Sequence, residues 1–184
     1  MHEPKEANTI IARPYHTPCG TLLLGSLGNK LCLCYWQPKE RSKHAELRLK
    51  RELHANLEEG TSETIEEAML QLSEYFTGSR QTFSLPLLLI GTEFQKTVWR
   101  KLQQIPFGET ISYVQTALRI GAPRAVRAVA NAIAANPLSV IVPCHRVIGS
   151  NNSLTGYAGG IEAKRKLLLL EGVSLPGQGA NLFP

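Results

Sequence analysis

The sequence predicts an α/β protein in two parts, a small N-terminal α/β region and a mainly helical C-terminal region. Three observations carry this. "TLLLGSLGNKLCLCYW", residues 21–36, reads as two strands meeting at Gly28-Asn29, a hairpin signal. From Thr92 onward the apolar spacing turns helical, at three- and four-residue intervals. The charge changes at the same place: residues 1–90 hold 10 Lys and Arg against 11 Glu, residues 91–184 hold 10 against 4, and the chain has no Asp. The boundary is expected at 91/92, dividing the chain into 1–91 and 92–184.

In the hairpin, Cys32 and Cys34 alternate onto one face and read as small core side chains. Residues 39–58 favour helix, with Leu47, Leu49, Leu53 and Leu57 supplying an apolar face. "TSETIEEAMLQLSEYFTG" is a second helix, with Thr64 and Glu67 at capping-box spacing and Gly78 as its stop. Residues 79–92, including "LPLLLIG", form a connector. "TEFQKTVWRKLQQI" then has Thr92 and Gln95 at capping-box spacing and Phe94, Val98 and Leu102 on one face, and "PFGE" breaks it. "ISYVQTALRI" is a short helix capped by Ser112. Gly121-Ala122-Pro123 turns the chain into "RAVRAVANAIAAN", so the pair reads as a helix-turn-helix. In that second helix Arg124, Arg127 and Asn131 form one polar stripe, either a solvated surface or a nucleic-acid face. After Asn136-Pro137, "LSVIV" reads as a short buried strand, "GSNNSLTGYAGG" as a polar loop and "IEAKRKLLLLEG" as a helix stopped by Gly172. The tail "VSLPGQGANLFP" is expected to be mobile.

Composition narrows the function classes. A length of 184 residues with 43% hydrophobic and 19% charged side chains fits one globular domain or two small ones. "MHEPKEANTI" has no apolar run, and no later stretch reaches membrane-span length. Four cysteines at 19, 32, 34 and 144 lack CxxC spacing, which argues against a disulfide scaffold and for a reducing compartment. A zinc role for Cys32 and Cys34 with Cys19 and His16 is the alternative, and the spacings match no common zinc site. The net charge of +5, concentrated in the second half, suits a polyanionic partner.

The chemistry centres on "VPCHRVIG", residues 142–149. Adjacent residues of a strand point to opposite faces, but Pro143 has no N–H for a ladder, so Cys144 and His145 belong on a turn. A thiol near pKa 8.5 needs a base to become a nucleophile, and a neighbouring histidine serves directly or through one water. The histidine needs an orienting carboxylate. Glu171 stands out, because a negative charge in a helix's last turn opposes the macrodipole unless a donor such as His145 meets it.

Four blocks, "IPFGETISY", "RAVRAVANAIAANP", "VIVPCHRVIG" and "LTGYAGG" followed by "LLLLEG", together resemble the O6-alkylguanine-DNA alkyltransferases from about Thr92 to Gly172. The resemblance implies a small N-terminal ribonuclease-H-like α/β domain followed by a helix-turn-helix, winged-helix-like active-site domain. It implies DNA repair by stoichiometric, self-inactivating transfer of an alkyl group from O6 of guanine, and to a lesser extent O4 of thymine, to Cys144. His145, Glu171 and Asn136 then match the network that activates the sulfur, and Tyr113 the group that protonates the leaving guanine. Arg127 fills the stack behind a flipped nucleotide, with Arg124, Asn131 and Ala125 on the same DNA face in the minor groove. Val147, Thr155, Gly156, Tyr157, Ala158, Gly159 and Gly160 line the base pocket, where the small Ala158 leaves room for alkyl groups larger than methyl. No metal and no cofactor are implied, and the protein is expected to be a cytoplasmic monomer, nuclear in a eukaryote.

Two other classes compete. A cysteine hydrolase would use Cys, His and a carboxylate but leaves the arginine stripe and the basic half without a purpose. A pure binding module for alkylated DNA would not need the cysteine. Stoichiometric uptake of an alkyl group separates the proposed reaction from both.

Overall fold

The computed structural model describes residues 8–37 and 40–175. Strands β1 (Asn8–Thr17), β2 (Gly20–Leu27) and β3 (Lys30–Gln37) form an antiparallel meander, and β4 (Ala55–Glu59) pairs parallel to β1, giving the order β3-β2-β1-β4. Helix α1 (Glu40–Leu53) crosses over between β3 and β4, and α2 (Glu63–Phe76) follows β4. The sheet is apolar on both faces. Ile10, Leu23, Leu33 and Tyr35 pack with Leu49 of α1, while Leu22, Leu24, Leu31 and Trp36 pack with Ile65 and Leu72 of α2.

Several sequence expectations change here. The hairpin is present, but β1 and β4 were not foreseen. The helix expected over 39–58 stops at Leu53, where His54 takes a left-handed φ of 48°, because β1 claims residues 55–59 as a strand. Leu47 is 62% exposed while Leu49 is buried, so the predicted leucine face is only partly used. The cap of α2 is Ser62, whose hydroxyl accepts from the Ile65 N–H, rather than Thr64. Cys32 and Cys34 do not share a face. The β2–β3 register shifts between Gly25 and Ser26, and a bulge of this kind breaks the two-residue alternation. Cys32 therefore packs with Leu33 and Tyr35, and Cys34 with Leu31 and Trp36.

In the second half α3 (Glu93–Leu102) begins with the predicted capping box of Thr92 and Gln95. Val98, Trp99 and Leu102 are buried, while Phe94 stays exposed. Ser112 and Gln115 form a second box that starts α4 (Tyr113–Arg119). Gly121, at φ 73°, lies in the turn before α5 (Val126–Ala134), against which α4 packs. The two-residue strands β5 (Ile111–Ser112) and β6 (Val147–Ile148) pair in parallel beside α4. Helix α6 (Ile161–Leu170) ends at Glu171, with Gly172 at φ 78°. The strand expected at 138–142 is instead a buried series of turns, with Val140 at φ 71°.

The two halves meet along the outer edge of β3. Connector residues Pro86 and Leu88 bond the Leu31 backbone at 2.8 Å each, and Pro137 and Ser139 bond that of Cys34 at 2.9 and 2.7 Å. An edge strand's free backbone groups are thus satisfied, and the turns leading to Cys144 are anchored to the sheet. Leu24, Trp36, Leu72, Trp99, Val129 and Leu167 belong to one apolar cluster spanning both halves. Among the described residues no helix is long and apolar enough to cross a membrane. The leading residues 1–7, read above as lacking an apolar run, and the tail beyond 175, read as mobile, lie outside the described residues.

Candidate active site

Cys144 opens a single 3-10 turn, Cys144–Arg146, that links the buried turns to β6. Pro143 precedes it, and the Arg146 N–H bonds back to the Pro143 carbonyl at 3.0 Å, closing the turn. The cysteine is 5% exposed. Asn136, just past the end of α5, donates from Nδ2 to Sγ at 3.2 Å and to the Val142 carbonyl at 2.9 Å, and its Oδ1 accepts from the Leu138 N–H at 3.0 Å. One side chain thereby closes the turn and supplies a hydrogen bond to the sulfur. Burial pushes the Cys144 thiol up, and the Asn136 amide and the Lys164 ammonium oppose that rise. The resting sulfur is a thiol.

His145 is fully buried, and its Nε2 lies 2.7 Å from Oε1 of Glu171. Glu171 also accepts from Tyr75 Oη at 2.6 Å, from Arg146 Nε and Nη2 at 2.9 and 3.0 Å, and from the Gly108 N–H at 3.2 Å. Burial would raise this carboxyl, but the donors of His145 and Arg146 reverse the effect and hold it well below the usual carboxylate range. Tyr75 and the Gly108 N–H add further donors to the same carboxylate. Burial holds His145 below its ordinary value against the pull of Glu171, so the imidazole is neutral. An ionised carboxylate only accepts, so Nε2 carries the hydrogen and Nδ1 carries the lone pair. Nδ1 is buried with no hydrogen-bond partner among the described residues. It is the nitrogen left to take a proton.

Tyr113, half-buried at the start of α4, donates from Oη to the Thr155 carbonyl at 3.2 Å. Lys164, fully buried on α6, donates to the same carbonyl at 2.9 Å and to that of Val147 at 2.6 Å. Burial pushes its ammonium down to about 8, with Cys144 acting in the opposite direction. The loop they fix has Thr155 and Gly156 exposed, Ala158, Gly159 and Gly160 half-buried, and Tyr157 buried. Tyr157 meets the His145 ring edge-on, with centroids 6.4 Å apart. Val147 is wholly buried.

Arg124, Arg127 and Asn131 are all exposed, and Ala125 is half-buried. The stripe is shorter than expected, because α5 begins only at Val126 and Arg124 sits in the preceding turn, closed by the Ala125 N–H to the Ala122 carbonyl at 2.9 Å. Only Arg127 and Asn131 are helical neighbours, one turn apart. The far end of α5 is held by Trp99 Nε1, which donates to the Ala132 carbonyl at 2.8 Å, and by Arg48 of α1, which donates to that of Ala135 at 3.0 Å. These donors meet carbonyls that a helix end leaves unpaired, directly before Asn136.

The structure therefore brings Cys144, Asn136, His145 and Glu171 into one buried cluster, with Tyr113 joined to the Thr155 loop. Arg146, Tyr75 and Lys164 escaped the sequence reading. Arg146 carried a signal, being a basic residue next to the pair, whereas Tyr75 lies 96 positions from its carboxylate partner.

Comparison with known proteins places the chain in a family. Residues 10–89 match the family model of the 6-O-methylguanine DNA methyltransferase ribonuclease-like domain, and residues 93–173 match that of its DNA binding domain. The constitutive methylated-DNA–protein-cysteine methyltransferase of Bacillus subtilis is 52% identical over 120 residues, covering 65% of this chain and 73% of its own. The Haemophilus influenzae methylated-DNA–protein-cysteine methyltransferase is 37% identical over 91% of this chain and 89% of its own. A crystal structure of Mycobacterium tuberculosis OGT in complex with DNA superposes with a TM-score of 0.75 at 41% identity, over 88% of this chain and 92% of that one. With both halves matched in order, the chain belongs to the 6-O-methylguanine DNA methyltransferase family.

Proposed function

We propose that the protein repairs alkylated DNA by moving the alkyl group from O6 of guanine, and more weakly from O4 of thymine, onto Cys144, once per molecule. The observation that carries this reading is the buried sulfur held by Asn136 beside a neutral imidazole whose Nδ1 is free to accept. A hydrolase would need the same proton transfer but not a DNA-facing helix ending directly at the sulfur's hydrogen-bond donor.

The chain's own residues perform the steps. His145 Nδ1 takes the Cys144 proton through a water, and Glu171 steadies the imidazolium through Nε2. The thiolate, supported by Asn136 and Lys164, attacks the alkyl carbon. An S–C bond forms as the C–O6 bond breaks, and its electron pair passes to the guanine. Tyr113 then leaves the Thr155 carbonyl and donates its proton toward O6 or N3. The thioether is stable to water, so no turnover follows, and displacement at an alkyl carbon needs neither metal nor cofactor.

The target base is inaccessible inside a duplex and must be flipped, at a cost of a few kcal/mol that is lowest for a damaged pair. Arg127 occupies the gap, with Arg124, Asn131 and Ala125 lying along the minor groove, where side-chain wedges do not require sequence readout. Val147 and residues 155–160 form the base pocket, with Ala158 admitting groups larger than methyl. The protein acts as a monomer, with the boundary of its two domains at 91/92. Intact mass after exposure to duplex DNA containing O6-methylguanine tests the reaction. Expected is a gain of one methylene per chain, mapped to Cys144 and lost in Cys144→Ala; unchanged mass in folded, reduced protein refutes it.

A further inference from the structure

Trp36 belongs to β3, in the N-terminal sheet, yet its indole Nε1 donates to Tyr157 Oη at 3.1 Å across 121 positions of sequence. The rings meet edge-on with centroids 6.3 Å apart, and both side chains are buried. The backbone also comes close: a Cβ at Gly159 would lie 2.8 Å from Trp36 Nε1 and 2.9 Å from its Cε2. Glycine at 159 thus lets the loop rest on the indole. Tyr157 is the one buried side chain of the stretch 155–160, and its other neighbour is the His145 ring. The remaining loop residues are exposed or half-buried, and with residues 155–160 read as the base pocket, the side of Tyr157 away from the indole is the one that would face a bound base.

We propose that Trp36 sets the width of the base pocket by holding Tyr157 back against the sheet, and so determines how large an O6-alkyl group the protein accepts. The inference rests on reading residues 155–160 as the base pocket. A buried hydroxyl that loses its donor is costly, and swinging away from the sheet lets Tyr157 restore hydration. The path runs through the pocket. A methyl adduct leaves space for the displaced ring, and a bulky adduct does not. Losing the indole N–H therefore penalises bulky substrates selectively.

The test compares single-turnover transfer rates on duplexes carrying O6-methylguanine and O6-benzylguanine. Trp36→Phe keeps an aromatic ring but removes the donor, and is expected to lower the benzyl-to-methyl rate ratio by about threefold or more, the scale of one hydrogen bond. The double variant Trp36→Phe/Tyr157→Phe has no buried hydroxyl to relocate, so its ratio returns toward the wild-type value. Gly159→Ala, whose Cβ would meet both the indole Nε1 and Tyr157 Cε1 at 2.8 Å and so forces the two apart, lowers the ratio in the same direction and serves where Trp36→Phe does not fold. A purely structural role would scale both rates equally. Equal scaling, an unmoved ratio in both Trp36→Phe and Gly159→Ala, or a double variant that keeps the Trp36→Phe ratio overturns the role of Trp36 and leaves the repair reading standing. Wild-type protein that takes up neither alkyl group overturns both.

Discussion

Among the described residues, the buried polar side chains around the N-terminal sheet are neutral: Ser26, Thr64 and Gln71. In the helical half they include His145, Arg146, Lys164 and Glu171. The sheet is stabilised by apolar burial on both faces, which is tolerant of detail. The helical half instead buries ionisable groups, which is unfavourable unless every charge is paired. Around Cys144 that pairing runs through Glu171, whose two oxygens collect donors from α2, the residue 105–109 turn and the 3-10 turn, while the buried Lys164 donates to the backbone carbonyls of Val147 and Thr155. The contrast teaches where stability and chemistry reside: one half supplies a rigid wall, and the other holds charge ready beside a sulfur.

The largest effect expected from breaking this division is at Cys144. Cys144→Ala abolishes alkyl uptake by mass spectrometry while the thermal midpoint stays near that of the parent. Next is Glu171→Gln, which leaves Arg146 and the His145 Nε2–H facing a neutral amide and costs about 3–5 kcal/mol, read by denaturant unfolding, with slower transfer in the remaining folded protein. Leu24→Ala, in the sheet core, costs about 2–5 kcal/mol in the same measurement but leaves the transfer rate per folded molecule unchanged. A change in that rate would show that the sheet core takes part in the chemistry. Arg127→Ala, on the exposed face, leaves unfolding unaltered and weakens DNA binding, with a salt dependence shallower by about one phosphate contact.

Acid should separate the two halves as well. His145 and Glu171 are both held below their ordinary values of 6.5 and 4.5. A group depressed in this way contributes stability above its unfolded value and loses it as pH falls toward the folded one. The midpoint of wild-type unfolding is therefore expected to decline below about 6.5 and more steeply below about 4.5, the unfolded values. In Glu171→Gln the steeper acid component is reduced, and thermal melts across the acid range measure it. The smallest expected effect is that of Ser62→Ala at the start of α2, about 1 kcal/mol of stability with repair unchanged.

Much of the chemistry could be read directly because it is local. Pro143, Cys144 and His145 are consecutive, the capping box at Thr92 and the cap at Ser112 depend on neighbouring residues, and Gly121 sits in the turn where it was expected. Glu171 was legible as a charge in the wrong place on a helix, an anomaly with a definite physical remedy. Other features needed distant partners. Residues 55–59 look helical until β1 offers them a ladder, and Cys32 shares a face with Cys34 until a bulge in β2–β3 separates them. Residues 138–142 look like a strand because they are apolar, yet they are buried as turns whose backbone groups bond to Cys34.

By itself the sequence singled out the cysteine, its neighbouring histidine and the carboxylate now found clustered with them, and the two helices and turn that expose Arg124 and Arg127. These depend on residue type and short spacing, which survive without knowledge of packing. Only the tertiary structure decided which imidazole nitrogen is free, that Arg146 and Tyr75 hold the carboxylate, and that Trp36 of the sheet meets Tyr157 of the loop. Those outcomes depend on groups brought together from 25 to 121 positions apart, and contacts at such separations leave no periodicity in the chain that makes them.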